Sequence, residues 1–431
     1  MLALIVPAVL AVCDLGSHFA RPEAWTESSV DFAVDHRADG FGFASQRRDV
    51  VTCMRQGGCT WHGLPVYEAR VYFFATGCVS RVELSLYNRG DDPTGAGLDS
   101  TQLKTLLETV AGKTQPGGRI GSNISRTKLR NGTHRFSQRW TGGDCEVELA
   151  WGVSGTKART QTADFVRVTL LPRKDRKAAR RAAVQRQPVQ GIVAKAKVRA
   201  HVKKNADGDV WIDAVPMVDQ GQKGYCAAAT SERVLRYYGY NIDEHEIAQA
   251  AGTTAHGGTS TSEMVETVRA VGSKCRLGFS SIISPAGSMR DLENEIQRYN
   301  KAAKAAGSPQ LSKDAFLSGG VFNIGAMRQE MEPKIVKNAR IKDPRYRKFL
   351  TGVKTQVDQG IPVFWGVTLG MFPEPGLPQT AGGHMRLIVG YNAKTHEIIY
   401  SDSWGAGHEL KRMPEDWAFA ITDNAFFLRP L

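Results

Sequence analysis

Three stretches of this 431-residue chain hold side chains whose types and order suit acyl transfer. The first is DQGQKGYCAAATSERVLRYYG, residues 219–239, which sets Cys226 where a Gly/Gln loop becomes an alanine-rich helix. The first turn of a helix has unpaired N–H groups and the positive end of the peptide dipoles, so a thiolate is favoured there. Gln220 stands six residues earlier. Gly221 and Gly224 let the loop fold back so that the Gln220 amide can point near the thiol. Together with the Cys226 N–H, that amide supplies two donors for an oxyanion. The other two stretches lie within GGHMRLIVGYNAKTHEIIYSDSWG, residues 382–405. A three-residue turn over Asn392–Lys394 would pair Tyr391 with Thr395 and set His384 opposite Asp402. Directly opposed residues share a face, with Cβ atoms about 5 Å apart. That register permits an imidazole–carboxylate hydrogen bond, and a one-residue slip would destroy it. A nucleophile, a base, a group that orients the base and oxyanion donors are the parts of cysteine nucleophilic catalysis.

These groups must be carried by the C-terminal half. Cys226–Tyr238 reads as a helix ended by Gly239, and Asp243–Ala251 as a second ended by Gly252. Thr261–Val271 reads as a third, entered through a Ser260-x-x-Glu263 capping box. Ser288–Ala306 places Met289, Leu292, Ile296, Tyr299, Ala303 and Ala306 on one apolar face. Residues 308–350 carry no clear pattern. Strands close the chain in PVFWGVTL, HMRLIVGY, HEIIYSD and AFFLRPL. Helices first and an antiparallel sheet last give an α+β expectation.

The pattern Gln-x5-Cys opening a helix, then Gly-His entering a strand, then Asp-Ser-Trp-Gly ending the next, resembles the papain-like cysteine peptidases. The order matches, and the similarity is closer to bacterial peptidases of the double-glycine bacteriocin-leader processing group. YCAAAT, AGTTAHGGTS, VDQGIPVFWGV and GHMRLIVGY carry it, across residues 213–275 and 351–431. The resemblance implies Cys226 as nucleophile, His384 as base, Asp402 as orienting residue and Gln220 as oxyanion donor. It implies Trp404 as a shield over the His384–Asp402 bond, a peptide or protein substrate, and no cofactor. Ala227 departs from papain itself, where a Trp follows the nucleophile. A transamidase with the same Cys-His-Asp order, and an inactive binding protein of the same fold, stay open as alternatives.

The rest of the chain sets the frame. Net charge is +13, but residues 173–204 hold twelve Lys/Arg against one Asp. With no aromatic residues interleaved, this run reads as a basic linker open to surface contact, and nucleic acid is not expected. Residues 25–172 alternate as strands (PVYEARVYFF, VSRVELSLYN, CEVELAWGV, DFVRVTLL) around one helix, DSTQLKTLLETVAG, stopped at Gly112. They form a separate α+β N-terminal domain of unknown function, read as a pro-segment or a targeting domain. The apolar start MLALIVPAVLAVC is too short to span a bilayer and suits a signal-peptide core, so residues 1–20 are assigned to export. In an exported chain Cys53, Cys59, Cys78 and Cys145 admit two disulfides, against free thiols as the alternative. No CxxC pair exists, which argues against a zinc ribbon. The division expected is 1–20 signal, 25–172 N-terminal domain, 173–206 linker and 207–431 peptidase domain.

Overall fold

The computed structural model describes residues 13–54, 57–91, 97–121, 123–128, 134–142, 145–154, 162–172, 198–221, 224–240, 247, 261–285, 288–318, 321–379 and 381–431. The chain divides into two compact units, Met1–Arg186 and Gln187–Leu431. Each mixes helix and sheet, which agrees with α+β. Among the described residues no helix is long and apolar enough to cross a membrane.

The N-terminal unit is an eight-stranded antiparallel sheet. Its spatial order is Phe41–Phe43, Val50–Cys53, Glu68–Phe73, Val79–Asn88, Thr162–Pro172, Cys145–Ser154, His134–Gly142 and Ser125–Lys128. The helix Ser100–Thr114 buries Leu103, Leu107, Val110 and Ala111, the i, i+4, i+7, i+8 stripe that an amphipathic helix presents. Asp99 caps it in a full capping box with Gln102. Gly112 does not stop it, because an exposed mid-helix glycine costs only about 1 kcal/mol. Residues on the N-terminal side of the expected boundary at residue 20 take part in this fold. Cys13–Asp14 pairs in parallel with Cys59–Trp61, and Leu15 and Phe19 in the next short helix have no exposed surface. None of the seven cysteines is in a disulfide here, which is the second of the two alternatives left open by the sequence.

In the C-terminal unit we label the strands β1 (Val202–Lys204), β2 (Asp209–Ile212), β3 (Leu277–Ile283), β4 (Val363–Leu369), β5 (Gly382–Asn392), β6 (Glu397–Ser401), β7 (Lys411–Pro414) and β8 (Thr422–Pro430). The helices used below are α1 (Cys226–Tyr237), α2 (Thr261–Lys274), α3 (Met289–Ala306) and α4 (Pro344–Asp358). The sheet runs β1-β2-β5-β4-β8-β3, with β6 on β5 and β7 on β6, all pairs antiparallel. Helices α1 and α4 pack against β5. Phe349, Phe364, Trp365, Phe419 and Phe426 fill the core between sheet and helices. Phe364 stacks on Phe426 across β4 and β8 at 4.9 Å.

Three expectations change here. First, the unit begins before Asp207. Val198 is 1 % exposed, β1 pairs with β2, and the Tyr237 hydroxyl at the end of α1 donates to Gly360 O at 2.9 Å and to Val198 O at 3.4 Å. Residues 198–206 are therefore structure rather than linker, while the basic run 173–197 lies outside the described residues. Second, sheet and helices interleave: β2 precedes α1, and β3 falls between α2 and α3. Third, the patternless stretch 308–350 holds the helices Ile324–Glu330 and Pro333–Arg340 and the start of α4. Pro333 and Pro344 sit in their first turns, where the missing N–H is not needed. Helix α3 is capped by Ser288 and Asp291 in a box, with Gly307 left-handed at the end. Asp243–Ala251, apart from Ile247, and the Ser260 capping box lie outside the described residues.

A fragment starting at Gln187 keeps Val198 and β1; one starting at Asp207 loses both. Losing that apolar burial costs on the order of 2–3 kcal/mol, so the shorter fragment should melt roughly 5–10 °C lower. Equal melting temperatures for the two fragments would show that residues 198–206 do not belong to the fold.

Candidate active site

Cys226 opens α1 after a Tyr225 cap residue that makes no side-chain capping bond. The first N–H groups of the helix are thus left for another acceptor. The thiol supplies it: the Ala227 N–H, and that of Met385 on β5, donate to the sulfur. The Cys226 side chain also hydrogen-bonds to the His384 ring. Cys226 is half-buried as a residue, and its thiol sits in a low-dielectric surrounding.

His384 lies on β5 with its side chain buried. Its Nε2 is 3.1 Å from Asp402 Oδ1. Its Nδ1 makes no hydrogen bond of regular geometry, and the thiol acts on the ring through its charge as well. Trp404 stacks flat on the ring, with centroids 4.1 Å apart and planes 3° apart. That covers the His384–Asp402 bond as the resemblance implied.

The predicted partnership of His384 and Asp402 therefore forms, but not by the predicted register. The loop is four residues, Ala393–His396, with Asn392 opposite Glu397. Asn392 Oδ1 accepts from the N–H groups of Lys394 and Thr395, and His396 takes φ 56°. A bulge at Val389 adds a further shift, so the ladder ends at Leu387 opposite Ser401. Asp402 lies just past that last pair. The net slip is even, so its side chain stays on the face of His384 and reaches it diagonally.

Asp402 has no exposed surface, and an unpaired buried carboxylate costs several kcal/mol. It is compensated. Arg386, two residues from His384 on the same face of β5, places Nε 2.7 Å from Asp402 Oδ1. Lys411 Nζ on β7 is 3.5 Å from Oδ2. Arg386 also pairs with Glu374 at 2.9 Å and lies over the Tyr400 ring. Burial pushes the Asp402 carboxyl up, but the His384 hydrogen bond and the charges of Arg386, His384 and Lys411 bring it down to about 2. Burial pushes the His384 ring down, and its bonds to Asp402 and Cys226 with their charges raise it above its ordinary value. Burial pushes the Cys226 thiol up, and the His384 bond, its charge and the Met385 and Ala227 N–H groups lower it overall. A low thiol beside a high imidazole is the electrostatic signature of a thiolate–imidazolium pair.

Helix and strands are locked together by groups that the sequence reading passed over. Arg233, two turns below Cys226, is fully buried. Its Nη1 donates to Asp402 O at 2.9 Å, its Nε to Pro216 O at 2.8 Å and its Nη2 to Ser401 Oγ at 2.5 Å. Thr230 Oγ1 donates to Met385 O at 3.3 Å. The signals were spacing: Arg233 shares the inward face of Cys226 at i+7, and Arg386 alternates with His384 on one strand. Gln220 is buried, and its N–H donates to Ser403 O at 2.9 Å, which anchors it beside the Asp402–Trp404 segment. Gly405 has φ 78°, and a Cβ there would lie 2.8 Å from the Asp219 carboxylate, so only glycine lets the two loops pass.

Fold and site define a cysteine-type peptidase. Residues 212–422 match the family model described as the Peptidase_C39 like family. Among solved structures, the peptidase domain of Streptococcus ComA, a bi-functional ABC transporter involved in a quorum-sensing pathway, is 13% identical. That match covers 50% of this chain and 99% of that chain, at a TM-score of 0.25. Xylellain, a cysteine protease from Xylella fastidiosa, is 16% identical and covers 54% of this chain and 88% of that one, also at 0.25. Scores this low carry no argument of their own. No curated protein matches the chain.

The shifted ionisations predict how the thiol reacts. Its thiolate persists as pH falls below the ordinary thiol range, and the imidazolium persists as pH rises above the ordinary imidazole range. Iodoacetamide should alkylate Cys226 faster than Cys275 at pH 6, and His384→Ala should slow this about tenfold for each pKa unit the thiol recovers. An unchanged rate in His384→Ala would show that the ring does not activate the sulfur.

Proposed function

We propose that the C-terminal unit hydrolyses peptide bonds through an acyl-enzyme on Cys226. The observation that carries this reading is the hydrogen-bonded chain from the thiol through His384 to Asp402, with the sulfur at the tip of α1. The Cys226 thiolate attacks the substrate carbonyl carbon, a C–S bond forms, and the π electrons move to oxygen. The Cys226 N–H and the Gln220 amide receive that oxyanion. The imidazolium gives its proton to the leaving nitrogen as the C–N bond breaks, and the amine departs. Water then enters, His384 takes its proton, the hydroxide attacks the thioester carbon, and the C–S bond breaks to release the acid. Asp402 keeps Nε2 protonated and Nδ1 turned to the sulfur throughout, and Trp404 keeps water off that bond. The substrate is a peptide or protein.

In this reading Cys226→Ala abolishes cleavage of a mixed peptide library, whereas Asp402→Asn keeps the ring oriented but removes charge. The first should leave no product above background. The second should lower kcat by a factor on the order of 100 or more, because Arg386 and Lys411 lose their counter-charge and the imidazolium its stabilisation. Gln220→Ala should cost about 3 kcal/mol of transition-state stabilisation, with KM little changed. Cleavage that survives Cys226→Ala would remove the mechanism.

A further inference from the structure

A second chemically capable cluster lies in the N-terminal unit, apart from the peptidase machinery. Cys13, His36 and Asp39 each present one ligand atom, and these atoms all lie within 4.8 Å of one another. His36 Nδ1 is 3.2 Å from Asp39 Oδ2. The Cys53 thiol lies next to this group rather than within it, and donates to the Asp39 backbone carbonyl oxygen at 3.5 Å. Cys59 is paired with Cys13 across adjacent strands, and Cys53 and Cys59 are each 1 % exposed. None of these sulfurs is in a disulfide, and the Cys53 and Cys59 thiols interact with each other.

We propose that Cys13, His36, Asp39 and Cys53 bind a structural zinc ion. Sulfur, imidazole nitrogen and carboxylate oxygen are the zinc ligand types, and four protein ligands close a tetrahedral structural site. Metal–ligand bonds of about 2.0–2.3 Å separate tetrahedral ligand atoms by roughly 3.3–3.8 Å. The three atoms within 4.8 Å therefore need to move by about an ångström or less. The thiol protons and any imidazole proton on the binding nitrogen leave to solvent as the metal enters, with no redox change. The ligands come from different segments: the strand Cys13–Asp14, the turn after the helix Ser29–Asp35, and the end of the strand Val50–Cys53. One ion would pin the two short leading helices to the sheet edge, where the strand Phe41–Phe43 is only three residues long. His18 and Glu27, 3.0 Å apart, approach the same His36 ring from another side with ligand atoms also within 4.8 Å. That set offers no sulfur and shares His36, so it competes for the ring rather than adding a second ion. The sulfur-containing set is the better match to zinc.

The test uses the full chain, produced with zinc and dialysed against metal-free buffer. Elemental analysis should give about one zinc per chain, and a chelator should lower the melting temperature. Cobalt substituted for zinc should give a sulfur-to-cobalt charge-transfer band that weakens in Cys13→Ser and in Cys53→Ser. Asp39→Asn, which removes no sulfur, should weaken retention of the metal while circular dichroism shows the fold intact, and it serves where a cysteine variant does not fold. Three results overturn the proposal: a chain that holds no zinc after dialysis, cobalt binding with no sulfur band, or a non-reduced mass short by two hydrogens with Cys53 and Cys59 linked.

Discussion

The C-terminal unit is organised around one buried anion. Asp402 carries its charge where no water reaches, and such a charge must be met by cations and donors or the fold loses several kcal/mol. The response involves most of the site. Arg386 and Lys411 bring positive charge, Glu374 balances Arg386 from its far side, and His384 takes the remaining lone pair. These six groups sum to zero charge with a thiolate on Cys226 and an imidazolium on His384, as they do with both neutral, and the Met385 and Ala227 N–H groups at the sulfur favour the charged pair. Either proton alone in the wrong place leaves an unbalanced charge. The shifts of the thiol and the ring are thus two faces of the same constraint.

Position follows from the same network. A thiol at the tip of α1 is useful only if α1 cannot slide along β5. Arg233 prevents this by donating to Asp402 O, Ser401 Oγ and Pro216 O at once, which ties the cysteine helix to the strand end that bears the acid. Thr230 ties it to the strand that bears the histidine. Because the bonds to Asp402, Ser401 and Met385 are buried, losing one partner there strands the other, and the penalty exceeds the bond's net worth.

Much of this was legible in the sequence, and the failures are instructive. Cys226, His384, Asp402 and Trp404 were found because local rules govern them: a glycine-rich loop into a helix, and two strands joined by a short turn. The turn length was misjudged. An Asn392 side chain that caps its own loop, and a bulge at Val389, are not visible to a count of residues. Asp402 was named for the wrong pairing and still reached His384, because a shift of three at the turn and one residue back at the bulge leave an even slip. Arg233 and Arg386 were missed because charged residues are read as surface until a buried counter-charge is known. Residues 198–206 were given to the linker because the basic run hides Val198 and Val202, whose burial depends on Gly360 and β2, far along the chain. In the Cys13, His36, Asp39 and Cys53 cluster only His36 and Asp39 are close in sequence, and no metal-ligand spacing joins them to the cysteines. It exists only because a parallel pairing brings Cys13 beside Cys59.

The central claim is that His384 is held as an imidazolium by Asp402 on one side and the Cys226 thiolate on the other. Nitrogen-15 NMR of the histidine-labelled chain reads this directly. At neutral pH both ring nitrogens of His384 should resonate as protonated, and in Cys226→Ala the ring should become neutral at a lower pH than in the parent. A His384 ring that is neutral at pH 7 in the parent chain, with a titration unmoved by Cys226→Ala, would contradict the account.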